Sequence, residues 1–182
     1  MTERDIKVVE FVKKYKLCNT NQIYNVFFNN VAPTVCNRRL KHLYEYGYIE
    51  RQKFNGNSYI YFDGKKPAAR IIQHDLFITD FIVKLINDGY EIVDFKKSFV
   101  LGDIISDAYI RIKKDNMIKN ILLEIQLGTH DCISKYKNIK RLVLNNTDWD
   151  VLPRLVVVGE VDHKDIQGLK ISYFNLNMEG EL

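Results

Sequence analysis

TNQIYNVFFNNVAPTVCNRRLKHLYEYGYIERQKFNGNSYIYF, residues 20–62, decides how the first third of this chain folds. Asn19 or Thr20 starts a short helix in which Ile23, Phe27 and Tyr24 face inward, and Asn29-Asn30 ends it. Pro33 suits the first turn of a further helix, because the N–H it lacks is one that helix starts leave unpaired. Val35, Leu40, Leu43 and Tyr44 form the predicted buried side of that helix. Thr34, Asn37, Arg38 and Lys41 fall on or near the other side. Gly47 stops the helix and Tyr48-Ile49 enters a strand. Asn55-Gly56-Asn57, set between strand-like residues 49–54 and 58–62, predicts a hairpin, since Asn-Gly readily takes positive backbone dihedrals.

Upstream, residues 3–16 place Ile6, Val9, Phe11, Val12 and Tyr15 along one side of another helix, with Thr2 and Asp5 as its capping pair. Helix, short helix, basic helix and hairpin, in that order, make a winged helix-turn-helix, which offers its last helix to the major groove of DNA. On that reading Arg38 contacts base edges beside Asn37 and Thr34, while Arg39 and Lys41 hold the phosphate backbone. Arg51, Lys53 and Asn57 belong to the wing. The bland alternative is a small helical packing unit, or one that uses its hairpin for protein contact.

Charge agrees with the first reading. Residues 1–66 carry 12 basic and 6 acidic side chains, and residues 67–182 carry 15 and 17, so the net +4 is concentrated at the N-terminal end. Eleven tyrosines and ten phenylalanines in 182 residues argue for a folded chain. Cys18, Cys36 and Cys132 form no CxxC pair and suit a reducing, cytoplasmic setting. The chain shows no signal peptide, and its apolar runs fall short of the roughly 18 residues a membrane helix needs. Without a Walker loop, GxGxxG, HExxH or serine elbow, nucleotide hydrolysis, dinucleotide use and zinc proteolysis have no motif behind them.

Asp63-Gly64-Lys65-Lys66-Pro67 is a turn that predicts a boundary between domains at 1–66 and 67–182. Residues 68–87 then read as a helix with a broad apolar surface, Ile71, Ile72, Phe77, Ile78, Phe81, Ile82, Leu85 and Ile86, wide enough to bury against both domains or against a second copy of itself in a homodimer. His74, on this helix, reads as structural. Strands are predicted at 90–95, 107–112, 118–126, 154–159 and 170–174, with a helix over 129–144. Residues 118–126 and 154–159 are continuous enough in Ile, Leu and Val to be central strands. Trp149 is expected at the edge of that core. Basic residues recur at Lys96-Lys97, across Arg111, Lys113, Lys114 and Lys119, and across Lys135, Lys137, Lys140 and Arg141; gathered on one side they would extend a nucleic-acid footprint, and otherwise they are solvated surface.

Asp107 on one strand, Glu124 and Gln126 on the next, and a helix after them resemble the PD-(D/E)xK nuclease core. There, carboxylates at adjacent strand ends hold a divalent cation. Gln126 stands where that pattern has a lysine, and Lys135 on the following helix is placed to reach back. The whole succession of winged helix, His74-Asp75-Leu76, Asp107-Ala108, Leu123-Glu124-Ile125-Gln126 with Gly128-Thr129, and Lys135-Tyr136 resembles the replication-relaxation family of plasmid and mobile-element proteins. It departs from that family at Gln126, where Asp is common, and at Leu127, where Arg often stands.

The resemblance implies an α+β winged helix-turn-helix followed by an α/β restriction-endonuclease-like domain with a central mixed sheet. The expected function is sequence-specific binding of double-stranded DNA in plasmid or phage replication, mobilisation or transcription control, without cofactor and with a replication or mobilisation protein as partner. The alternatives are a Mg²⁺- or Mn²⁺-dependent nuclease, with Asp107 and Glu124 as metal ligands and Gln126 or Lys135 assisting, and a protein-interaction adaptor.

Overall fold

The computed structural model describes every residue except Asn57, so the wing role expected of Asn57 lies outside the described residues. The chain is a mixed α+β protein with a three-stranded antiparallel sheet and a five-stranded mixed sheet. It packs as two compact units, Met1–Val83 and Lys84–Leu182. The division falls inside helix α4 (Ala69–Asn87), beyond the turn at residues 63–67.

The first unit opens with α1 (Glu3–Tyr15), where the Thr2 hydroxyl accepts from the Asp5 N–H and the Asp5 carboxylate accepts from the Thr2 N–H. This reciprocal cap satisfies two backbone donors that a helix start leaves unpaired. Asn19 and Gln22 repeat it at α2 (Thr20–Phe27). Pro33 begins α3 (Pro33–Glu45), and Gly47, with φ of 70°, carries the chain away from it. Strands β2 (Glu50–Phe54) and β3 (Ser58–Phe62) form the expected hairpin, with Asn55 and Gly56 at positive φ. A third strand, β1 (Leu17–Asn19), adds to the other edge of β3. Leu17, Ile60, Phe62, Ile72 and Leu76 close a core there, each worth about 1.5–3 kcal/mol when fully buried. Gln22 ties α2 to α4 by donating to the Leu76 carbonyl at 2.9 Å and to Asp80 at 2.7 Å.

Two helix faces differ from the sequence reading. In α1, Val8 is buried and Ile6 exposed. In α3, Cys36 joins Leu40 and Leu43 inside, while Tyr44 turns outward and lies against Arg51.

In the second unit β4 (Glu91–Leu101), β5 (Ile104–Lys114) and β6 (Met117–Gln126) form an antiparallel meander. Strands β7 (Arg154–Gly159) and β8 (Ile171–Phe174) then run parallel to β6, giving the order β4-β5-β6-β7-β8. Ile121 to Gln126 and Leu155 to Val158 are buried without interruption, as central strands covered on both faces must be. The helix expected over 129–144 is instead a 3-10 turn, Ser134–Asn138, leading into α5 (Ile139–Asn146). The Asp131 carboxylate accepts from the N–H groups of Ile133 and Ser134, so helical geometry begins only after it. At the end of β7 only glycine fits, since a Cβ on Gly159 would stand 2.1 Å from the Gln126 carbonyl oxygen. Most of the apolar surface of α4 is buried within the chain, Ile72, Ile78, Phe81, Ile82 and Leu85 included, with Ile71 left exposed. No helix among the described residues is long and apolar enough to cross a membrane.

Candidate functional site

Helix α3 carries the first group of candidate residues. Its 3.6-residue period sends Cys36, Leu40 and Leu43 inward and leaves Thr34, Asn37, Arg38 and Lys41 exposed together. Lys41 stands 3.5 Å from Glu45 in an exposed pair of little energetic weight. The Arg38 side chain has no ion pair or hydrogen bond among the described residues. Such a surface can donate to phosphate oxygens or to the acceptors of base edges.

Arg39 is placed differently. It turns back to Asp5, its Nε donating to Oδ1 at 3.1 Å and its Nη2 also meeting the carboxylate. Asp5 is only 1% exposed. Burial alone would raise its pKa, but Arg39 and the Thr2 backbone and hydroxyl hold it down at about 2. Arg39 therefore fastens α3 to the start of α1. Arg51 is also engaged, its guanidinium 4.4 Å from the ring centroids of both Tyr44 and Tyr59. That contact joins the hairpin to the C-terminal turn of α3. Lys53 is exposed on β2, two residues from the hairpin turn.

The second group gathers at the C-terminal end of β6. Ala108 pairs with Leu123, so Asp107 and Glu124 come one step further along the same ladder. Asp107 Oδ2 accepts from the Ile125 N–H at 2.7 Å. Glu124 is 4% exposed and receives the Tyr136 hydroxyl on Oε1 and the Lys135 ammonium on Oε2 at 2.9 Å. Lys135 also donates to the Ile105 carbonyl at 2.7 Å. Burial pushes the Glu124 pKa up and neighbouring Asp107 adds to it, while Tyr136 and Lys135 pull it down. The 3-10 turn brings Lys135 and Tyr136 in together as adjacent residues, and Tyr136 is fully buried. Gln126 is buried and donates to the Gly128 carbonyl at 2.6 Å, so it shapes the strand end and takes no part in the Glu124 contacts.

The site brings Asp107, Glu124 and Lys135 together, as their sequence positions imply. Both Glu124 oxygens are engaged by side chains of the chain itself, Tyr136 and Lys135. Among the described residues no group of three or more His, Cys, Asp or Glu is disposed to hold a metal ion. His74 lies 3.5 Å from the Asp75 carboxylate, away from this cluster in the sequence and in the other compact unit.

No family model matches the chain, and no curated protein does.

Sequence reasoning passed over the Asp5–Arg39 pair and the Tyr136 hydroxyl on Glu124. The first joins residues 34 positions apart and has no local signature. The second had one, since a tyrosine beside Lys135 on a helical turn must fall near the same strand end.

Proposed function

We propose that this chain is a double-stranded DNA-binding protein whose first unit is a winged helix-turn-helix. Helix α3 enters the major groove and the β2–β3 hairpin lies along phosphate or the minor groove. The observation that carries the reading is the exposed set Thr34, Asn37, Arg38 and Lys41 on one side of α3, opposite Cys36, Leu40 and Leu43. Arg38 reads bases, Asn37 and Thr34 assist it, and Lys41 and Lys53 contact phosphate. Arg39 and Arg51 act indirectly by holding α3 and the hairpin in place. The second unit is a nuclease-like fold used for assembly, and the chain belongs with the replication-relaxation proteins of plasmids and mobile elements. A homodimer on a two-half-site target is part of this proposal.

A gel shift of the full chain against duplex fragments from around its own gene tests the reading. Binding to one fragment over random duplex, weakening steeply with salt, supports it. Absence of any shift at low salt would end it and leave the adaptor reading.

A second reading, metal-dependent cleavage of DNA, draws on Asp107 and Glu124 meeting at adjacent strand ends. The Lys135 and Tyr136 contacts on Glu124 weigh against it. Incubating supercoiled and branched DNA with Mg²⁺ or Mn²⁺ separates the two readings. Cleavage that disappears in Asp107→Ala establishes the nuclease, and intact DNA removes it.

A further inference from the structure

At the N-terminal ends of β6 and β7, away from Glu124 at the other end of the sheet, lies an open cavity of about 470 Å³. Arg111, Lys119, Asn120, Trp149, Arg154 and Lys170 line it, with Asp148 and Asp150 at the same wall. Its size falls in the range of small-ligand sites.

Arg111 and Asn120 pair across the β5–β6 ladder and so present neighbouring side chains on one face. The Tyr109 hydroxyl donates to Asn120 Oδ1 at 2.9 Å, which turns the amide N–H groups of Asn120 to other partners. Tyr109 in turn stacks on Trp149 at 5.1 Å, nearly parallel, with Phe99 against both rings. An aromatic stack rooted in the core thus fixes the indole at the cavity wall. The Arg111 side chain has no ion pair or hydrogen bond among the described residues; Lys119 pairs with Ile112 and so belongs to the opposite face, and Arg154 is held by donating to Ser172 at 2.8 Å.

We propose that this cavity binds a nucleotide. The base lies against Trp149, the phosphate is held by Arg111, and Asn120, its neighbour on the same face, donates to the same anion. Asp148 and Asp150 accept from sugar hydroxyl or base N–H groups. The chemistry needed is a planar ring joined to a phosphate, because the Arg111 guanidinium calls for an anion and the preorganised indole calls for a flat partner. A free nucleotide and a nucleotide within a single strand both carry it. The inference does not depend on the proposed duplex binding by α3, which uses other residues in the other unit.

Trp149 is the sole tryptophan of the chain, so its fluorescence reports on this cavity alone. The full chain is titrated with a nucleoside 5′-monophosphate, with a short single-stranded oligonucleotide and with inorganic phosphate. Saturable quenching by the monophosphate is expected for a free nucleotide, and by the oligonucleotide alone for a strand. Arg111→Ala, an exposed change, should weaken whichever binds by about tenfold, the loss of one charged hydrogen bond to phosphate. Trp149→Phe, followed by calorimetry, should weaken it by a smaller factor because a ring remains. The proposal fails if neither nucleotide form quenches saturably, if inorganic phosphate quenches equally well, or if Arg111→Ala binds like the wild type. A gel shift on duplex with the same Arg111→Ala protein reads the α3 surface separately.

Discussion

Arg38 and Lys135 are both long cationic side chains on helical turns, yet the chain treats them in opposite ways. Arg38 stands exposed on α3 with no described partner. Lys135 lies across Glu124 and the Ile105 carbonyl, its charge matched by a carboxylate only 4% exposed. The difference separates what a charge does for binding from what it does for the fold. An unmatched surface cation is solvated, costs the fold little and remains available to a polyanion. A cation over a buried carboxylate relieves a desolvation cost, and removing it leaves that cost uncovered. Arg39 sharpens the point, since it adjoins Arg38 in sequence and belongs to the second kind.

The largest expected effect follows from Arg39. Arg39→Ala should destabilise the full chain by about 2–3 kcal/mol in urea unfolding, because it leaves the Asp5 carboxylate buried without its cation. The pH dependence has a definite sign. Asp5 has a depressed pKa, so its contribution is present above the unfolded value near 4 and is lost as pH falls through about 2. A loss below about 0.5 kcal/mol at neutral pH would mean that Arg39 is a surface arginine like its neighbour.

Arg38→Ala should do the reverse. Stability should stay within about 0.5 kcal/mol of wild type, as for surface changes generally. Binding to the preferred duplex should weaken by about 1–3 kcal/mol more than binding to random duplex, the worth of a bidentate contact to a base. Equal weakening on both duplexes would make Arg38 a phosphate contact and remove its reading role.

How far these roles could be read from sequence depends on the range of the interaction that sets them. The Asn55-Gly56 turn, the Pro33 helix start and the Ile/Leu/Val runs of β6 and β7 were legible because each is decided by neighbours along the chain. Asp107 and Glu124 were legible as a pair through their resemblance to a nuclease core, which sets carboxylates at adjacent strand ends. The three-residue strand β1 was not, since Leu17–Asn19 is too short to show alternation and exists only by pairing with β3. Tyr44 was assigned to the buried side because it sits at the border of the helix stripe. Arg51, on another element, supplies the partner that keeps it outside. Arg39 was read as a phosphate contact and its tie to α1 was not legible, because Asp5 lies 34 residues from it.

Lys135→Ala tests the opposite pole of the comparison and should cost about 1–2 kcal/mol at neutral pH. Glu124 already has a raised pKa, chiefly through burial, and loss of the ammonium would raise it further. A carboxylic acid with a raised pKa favours folding at low pH and loses that advantage as pH rises through the folded value. The deficit of Lys135→Ala should therefore shrink as pH is lowered from neutral and Glu124 takes up a proton. A deficit that does not change with pH would show that Lys135 acts through the Ile105 carbonyl or by packing, and would bring it closer to an ordinary surface lysine.

The smallest effect belongs to Lys53. It is exposed on β2 beside Tyr59 of β3, and nothing among the described residues matches its charge. If its ammonium meets only phosphate, Lys53→Ala should weaken every duplex alike, by about 1 kcal/mol or less at moderate salt. The slope of log affinity against log salt should then fall by about one, because one fewer counterion is released. Measuring both quantities matters, since a change in affinity alone does not say what was touched. A shift in sequence preference with the slope unchanged would place the hairpin in a groove against bases. The two binding elements of the first unit would then share the reading that α3 is proposed to carry alone.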